Sequence, residues 1–548
     1  MTDRAMDCIA KTEALAALAT LPAAEPVASV SYVSHGNLFI VAGAESQRAH
    51  ACAAKLADEL HVTLLEDKPS IRQAPYAVWG GRVEGLKGYL GEFVASIADL
   101  RIDGQAGKPA REARFDLVLD FSASPLFAMH QPPQGYYRAP GDPARLEAML
   151  EELRSAVGEF EKPRYFAYRE NLCAHRRSEI VGCSACIDVC STRAIEPHGD
   201  HVRVDPHLCM GCGACATVCP SGAMSYQFPR MADRGMQLKQ LLAAYRHAGG
   251  KDACILFHNG GDGRALLAAA AEGLPDRVIP LEAWHVASVG PDLLLAAVAY
   301  GASQVAVLCA GSETPEYVRA LEEQMALAQS IVSALGFEGR HFVLLEARDA
   351  AGLTGPLAAL APAAQVAVPA TFMLSNDKRT AIEFAVEHLL RHAPKPCEEI
   401  ALAPGAPYGE VVVDRQKCTL CLACAGACPE SALMDGTDQP MLRFLERNCV
   451  QCGLCAKTCP EDAIELRPRL LLTAAVREAR VLNETQPFHC VSCGKAFGTQ
   501  QMVSAMLARL AGHSMFADAA AQRRLQMCAD CRVVDMMASK DEVSVLKL

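Results

Sequence analysis

Aromatic residues are few in this 548-residue chain, 6% with only two tryptophans, and nothing in that composition points to a nucleic-acid binder. The formal charge of −11, from 52 basic against 63 acidic residues, further disfavours a polyanionic ligand. The opening segment "MTDRAMDCIAKTEA" has no basic stretch followed by an apolar one, and no twin-arginine pair, so no export signal is expected. Long apolar runs are missing as well. The uncharged stretch 354–376 is interrupted by Pro356, Pro362 and Pro369, and it reads as loop plus a buried strand, "QVAVPATFML", rather than a membrane span. Common catalytic signatures are absent: "FIVAGAESQ" is not GxGxxG, and there is no GxSxG, HExxH or P-loop. "HNGGDGR" at 258–264 follows a strand and opens a helix, so it is either a tight turn or a set of amides able to hold an anion.

Cysteine is what the chain has in excess, 25 residues concentrated in CxxC runs rather than scattered pairs. In a chain of this length without an export signal, that arrangement predicts metal binding in a reducing cytoplasm rather than disulfides. The pattern C-x2-C-x2-C-x3-C-P occurs three times, as Cys209/Cys212/Cys215/Cys219, Cys418/Cys421/Cys424/Cys428 and Cys449/Cys452/Cys455/Cys459. In such runs three thiolates bind one [4Fe-4S] cluster from a tight loop, and the fourth, opening a helix, ligates the neighbouring cluster. Zinc sites use two separated CxxC pairs instead. The crossed rule assigns Cys418, Cys421, Cys424 and Cys459 to one cluster, and Cys449, Cys452, Cys455 and Cys428 to its partner.

A fourth run is irregular. Cys183, Cys186 and Cys190 keep the last spacings of the pattern, but Cys173 lies across the nine residues "AHRRSEIVG", and Ser191 stands where the other runs have proline. A loop of that length closes at little entropic cost. One cluster is therefore expected on Cys173, Cys183, Cys186 and Cys219, and another on Cys209, Cys212, Cys215 and Cys190. The alternative is a three-iron cluster with Cys173 an ordinary thiol. His175, Arg176 and Arg177, inside the longer loop, either bring positive charge to that cluster or form a solvated face. Two more CxxC pairs, Cys490/Cys493 and Cys528/Cys531, enclose 34 residues and fit a tetrahedral structural zinc, with a fifth iron–sulfur centre as the rival. Cys8, Cys52, Cys254, Cys309 and Cys397 are isolated and read as buried, inert thiols.

Around these runs the periodicity is α/β. An Ala/Leu-rich helix fills 1–25, a β-α-β pattern with further strands occupies 30–160, and strands alternate with helices from 250 to about 395. The expected fold class is multidomain α/β. An N-terminal α/β domain (1–160) precedes a 2[4Fe-4S] module (161–230), and a flavodoxin- or Rossmann-like α/β domain (245–400) precedes a second module (405–470). A four-cysteine zinc-binding region (485–548) ends the chain. The two modules amount to an internal duplication.

The modules resemble bacterial 2[4Fe-4S] ferredoxin domains, and the whole layout, through "GEFEKPRYFAYRENLCAHRRSEIVGCSACIDVC" and "FSASPLFAMHQPPQGYY", resembles bacterial 4Fe-4S dicluster proteins associated with formate dehydrogenases. That resemblance implies an electron-transfer or accessory partner of such an oxidoreductase. "VEGLKGYLGEFVASI" is similar to a strand region of the heterodisulfide reductase A subunit, and "HVASVGPDLLLAAVAYGASQVAVLCAG" to the small iron–sulfur subunit of methyl-viologen-reducing hydrogenases. The cluster that the latter subunit holds after its last strand does not carry over, because "CAGSETPE" offers Cys309 alone, and the flavin of the former has no glycine fingerprint to hold it here. The expectation is a polyferredoxin, an electron carrier or redox-complex subunit rather than a stand-alone enzyme. Its four clusters, about −2 each when oxidised, would dock on a basic patch of a redox partner in a salt-sensitive way. A flavin- or nucleotide-binding catalytic subunit and a formate dehydrogenase assembly factor are the other two readings.

Overall fold

The computed structural model describes residues 3–22, 24–25, 27–68, 74–102, 111–436 and 439–538. It is a mixed α/β structure with two parallel-sheet regions. The N-terminal sheet has seven strands in the order Arg111–Phe115, Phe93–Ile102, Ala77–Lys87, His61–Glu66, Asn37–Val41, Leu117–Asp120 and Tyr136–Arg138. The last five are mutually parallel, Phe93–Ile102 adds antiparallel to Ala77–Lys87, and Arg111–Phe115 adds antiparallel to Phe93–Ile102. Helices Ser46–Leu56 and Pro143–Ser155 bury Ala49, Cys52, Ala53, Leu56, Leu150 and Leu153 against one face.

"RFDLVLDFS" looks like one strand in the sequence but makes two. The break falls at Asp116, whose carboxylate accepts from the backbone N–H of His35 and Asn37 (2.8 and 3.0 Å) and from the Asn37 amide (3.0 Å). Those bonds hold the chain where it leaves the antiparallel arm for the middle of the sheet. A two-stranded ribbon, Ser29–Ser34 with Gly158–Pro163, leads from this domain to the first cysteine module.

The second parallel sheet runs Val278–Ala283, Cys254–Asn259, Gln304–Cys309, Phe342–Glu346. Helix Pro291–Ala299 is buried at every residue, as its sequence "PDLLLAAVA" demands. The expected strand in "QVAVPATFML" does not form. Val366, Ala370 and Leu374 are buried, but the segment bonds piecemeal, with Ala364 N–H to Glu338 O and Ala370 N–H to Ala299 O. Pro369, in the middle of the segment, lacks the donor a ladder needs. Helix Asp3–Ala19 also departs from expectation. It packs on helix Met231–His247, and Ala10 and Ala14 join Leu238, Leu241 and Tyr245 in the core of the second α/β domain. Small side chains every four residues let the two helices approach closely.

Each cysteine module is a small α+β unit. The first pairs Phe166–Tyr168 with Met224–Tyr226 and carries two short helices, Ala185–Asp188 and Ala214–Val218. The second carries Ala423–Ala427 and Leu454–Thr458 between two three-stranded sheets, and one sheet recruits Arg480–Glu484 from beyond the cysteine runs. A hairpin (Pro487–His489 with Ala496–Thr499) and helices Gln500–Leu510, Ala519–Leu525 and Ala529–Ala538 complete the described chain.

Candidate metal centres

The nine residues between Cys173 and Cys183 form a miniature hairpin, not an open loop. Arg176–Arg177 pairs with Ile180–Val181, and both turn residues, Ser178 (φ 47°) and Glu179 (φ 69°), are left-handed, as a tight two-residue hairpin requires. Beyond it, Gly182 N–H bonds to His175 O (2.8 Å) and Cys183 N–H to Ala174 O (2.9 Å). The excursion thus returns Cys183 to the residue next to Cys173 despite the nine-residue insertion. Cys173 is buried, with the Tyr168 hydroxyl as a neighbour. Burial pushes the Cys186 thiol up, and Cys219, Cys183 and Cys173 raise it further as its near neighbours.

The other set in this module forms the same way. Burial holds Cys212 up at about 12, with Cys190 and Cys209 beside it, and Cys215 is raised by burial and then by Cys212, Cys209 and Cys190. Ser191, in the place of proline, hydrogen-bonds the Tyr317 hydroxyl, which neighbours the Cys212 thiol and works against the rise that burial causes. In the second module one cavity is lined by Cys418, Cys421, Cys424 and Cys459, and another by Cys428, Cys449, Cys452 and Cys455. Burial and their own partners raise Cys424 to about 12 and Cys452 to about 11.

Clustered thiols in which burial and neighbouring sulfurs push up Cys186, Cys215, Cys424 and Cys455 are a poor arrangement for free cysteine and a good one for thiolates bound to a cationic inorganic core. Backbone amides aim at the fourth sulfur of three runs, Met224 N–H at Cys219 Sγ (3.5 Å), Ala432 N–H at Cys428 Sγ (3.2 Å) and Ala463 N–H at Cys459 Sγ (3.4 Å). Such donors stabilise metal-bound thiolate. The donor set therefore fits iron–sulfur clusters.

The two modules touch. Lys457 Nζ donates to Val181 O (2.7 Å), Gly182 lies against Leu454, and Cys183 is among the groups that raise Cys452. Within the modules, Cys186 similarly neighbours Cys215, and Cys424 neighbours Cys455. The four sets therefore form one row, from Cys190/Cys209/Cys212/Cys215 through Cys173/Cys183/Cys186/Cys219 and Cys428/Cys449/Cys452/Cys455 to Cys418/Cys421/Cys424/Cys459.

The C-terminal cysteines differ in scale. Ligand atoms of Cys490, Cys493, Cys528 and Cys531 all lie within 4.8 Å of one another, and Cys493 Sγ is 3.8 Å from Cys528 Sγ. Among the described residues no other group of three or more such ligands is that tight, so the ferredoxin-type sets enclose wider spaces. Burial opposes ionisation of Cys490, but the N–H groups of Cys493, Cys528 and Ser492 point at it and bring it down to about 6.

Other sequence expectations fare unevenly. Cys52, Cys254 and Cys309 are buried, and burial raises Cys254 to about 11 and Cys309 to about 12. Cys8, on helix Asp3–Ala19, is exposed, and Cys397, in the connection between Lys378–Arg391 and Glu399–Ala401, is half-buried, so these two are not the buried thiols the sequence suggests. His175 is buried with Nδ1 on Cys183 O (2.8 Å), so it does not belong to a solvated loop face. "HNGGDGR" is a strand-to-helix turn fixed by Asn259, which bonds Glu313 and Val286 N–H, with Glu282 close to Gly260. Two carboxylates at that turn work against an anion.

Two segments, 181–223 and 417–464, match the 4Fe-4S dicluster domain family. The first match begins after Cys173. No curated protein matches the chain. With the cysteine geometry, these matches define an iron–sulfur protein with two ferredoxin-type dicluster domains, a class that suggests electron transfer. No described helix is long and apolar enough to cross a membrane.

Proposed function

We propose that this protein is a one-electron carrier with four [4Fe-4S] clusters and one structural zinc, a polyferredoxin that serves a redox protein partner. The observation that carries the reading is the contact between modules, where Gly182 and Cys183 meet Cys452 and Leu454 and the four cysteine sets become a single row. A bound [4Fe-4S] cluster supplies reversible single-electron chemistry. The chain gathers the four sets, buries or half-buries fifteen of their sixteen cysteines and leaves Cys421 exposed at one end of the row. The proposed partner is a formate dehydrogenase or a similar oxidoreductase, a choice supported by the sequence likeness alone.

Anaerobically purified protein is expected to contain about sixteen irons with matching sulfide, and one zinc. A colourless preparation holding only zinc sinks the proposal.

The zinc assignment rests on spacing. A tetrahedron with Zn–S bonds of about 2.3 Å has sulfur–sulfur edges of about 3.8 Å, the separation of Cys493 and Cys528. The local core there is small, Cys490, Met527 and Cys528 with Phe497 and Cys531 packed on it, so the metal replaces a larger apolar core. Cys528→Ser is expected to lose the zinc, keep all the iron, and open the chain beyond residue 484 to limited proteolysis. Loss of four irons instead of zinc would identify a fifth cluster.

A further inference from the structure

The sequence places positive charge near the first module only in the loop of His175, Arg176 and Arg177. The structure brings it from elsewhere. Three cationic side chains, none of them within the matched segments 181–223 and 417–464, end on the backbone carbonyls of cysteines in three different sets. Lys162, on the ribbon strand Gly158–Pro163, donates to Cys209 O (2.8 Å) and His207 O (2.6 Å), with its ammonium 5.0 Å from the Tyr32 ring centre. Lys378 donates to Cys219 O (3.0 Å), Ala216 O (3.2 Å) and Thr217 O. Arg379 donates to Cys449 O (3.2 Å) and Arg447 O (2.7 Å), and with its other nitrogen to Pro220 O (3.3 Å) and Pro407 O (3.2 Å). It also stacks on Tyr408 at 4.7 Å.

Lys378 and Arg379 open helix Lys378–Arg391, which Asp377 caps by accepting from Thr380 N–H (3.0 Å). The pair enters the seam between the modules from the second α/β domain, and Arg379 reaches both. Three carbonyl acceptors around one Lys378 nitrogen match the three donors of an ammonium, whereas a neutral amine has two. Asp292 is the buried carboxylate that faces it. The fourth set differs: among the described residues, the side chain that reaches Cys418 O is the neutral amide of Asn483, at 3.5 Å.

We propose that Lys162, Lys378 and Arg379 set the reduction potentials of three of the four clusters, raising them relative to the cluster on Cys418, Cys421, Cys424 and Cys459. This rests on the four-cluster reading. Reduction adds one electron to a cluster that is already anionic, so a nearby fixed cation stabilises the reduced form more than the oxidised one. The α/β domains thereby act on the row electrostatically as well as holding it. These are positioning residues, because none touches a reacting atom.

The test is a dithionite titration of the anaerobic full-length protein, followed by electron paramagnetic resonance. In Lys378→Met, Arg379→Gln and Lys162→Met, one signal each should require a lower ambient potential. The expected change is about tenfold in the reduced-to-oxidised ratio at fixed potential, equivalent to about 59 mV for one electron. Lys378→Arg should restore the wild-type position. Lys239→Met, which removes a lysine bound to Thr371 O, should move nothing. Full iron content with unmoved signals in all three variants overturns the proposal. Should Lys378→Met lose iron, Lys162→Met decides by the same titration. A wild-type protein without iron overturns the four-cluster reading itself, a result distinct from unmoved potentials.

Discussion

Cys173→Ala is expected to remove between one and four of about sixteen irons and to change the paramagnetic signal of one cluster while leaving the other three intact. The size of the effect follows from how the site is closed. Cys183, Cys186 and Cys219 come from a loop and a helix end within 181–223, the stretch that matches the dicluster domain family. Cys173 reaches them from outside that stretch, on the far side of a hairpin anchored by Gly182 N–H to His175 O and Cys183 N–H to Ala174 O. Without it three thiolates remain, enough for a three-iron cluster and too few for a four-iron one. Cys397→Ala, at an isolated half-buried cysteine, is the matched control and should leave iron and spectrum unchanged. If Cys173→Ala behaves like that control, Cys173 is not a ligand, and the native centre holds three irons or finds a different fourth donor.

The grouping of the cysteines was legible in the sequence because it is written in short spacings. Loop ligands two residues apart, and a fourth at a helix start, leave few geometries open, and the fold lines one cavity with Cys418, Cys421, Cys424 and Cys459 and another with Cys428, Cys449, Cys452 and Cys455. Less local features were not legible. The hairpin inside "AHRRSEIVG" has a Ser-Glu turn, not the Asn-Gly or Asp-Gly that signals a two-residue hairpin, so nothing marked it. Helix Asp3–Ala19 could be read as a helix, but its apolar face does not say that its partner is Met231–His247, more than two hundred residues away. "QVAVPATFML" shows the opposite error, in which apolar, β-prone residues such as Val366, Ala370 and Leu374 are buried without a ladder, with Pro369 removing a donor in the middle of the segment. Lys162, Lys378 and Arg379 carry no motif at all. A lone lysine at a strand end or helix start is ordinary until the fold brings a cysteine carbonyl to it.

Whether the row works as one conductor depends on the seam between modules, and a single methyl group there should interrupt it. At Gly182 a Cβ would lie 2.7 Å from Leu454 Cγ and 2.6 Å from Ala174 O. Neither neighbour can move freely. Leu454 is buried at the start of helix Leu454–Thr458, and Ala174 O already accepts from Cys183 N–H. Gly182→Ala is therefore expected to cost about 1–3 kcal/mol as an overpacked contact. The cheapest relief is for the second module to back away, since the direct bond across the seam at this point is Lys457 on Val181 O. The fully reduced variant should then keep all its iron but show weaker magnetic coupling between the clusters that Cys183 and Cys452 would hold. Electrons supplied at one module should also equilibrate with the other more slowly. Leu454→Ala in the same chain removes the colliding side-chain atoms and should restore the coupling, while the contact with Ala174 O remains. Recovery in the double variant, beyond the sum of the single effects, localises the loss to the seam rather than to the Cys173 loop. Gly426→Ala supplies the control, a glycine between cysteines of the second module where a Cβ meets nothing within 4 Å. Undiminished coupling in Gly182→Ala at full iron content would mean that the modules exchange electrons by some route other than this contact, and the single-row reading would fall with it.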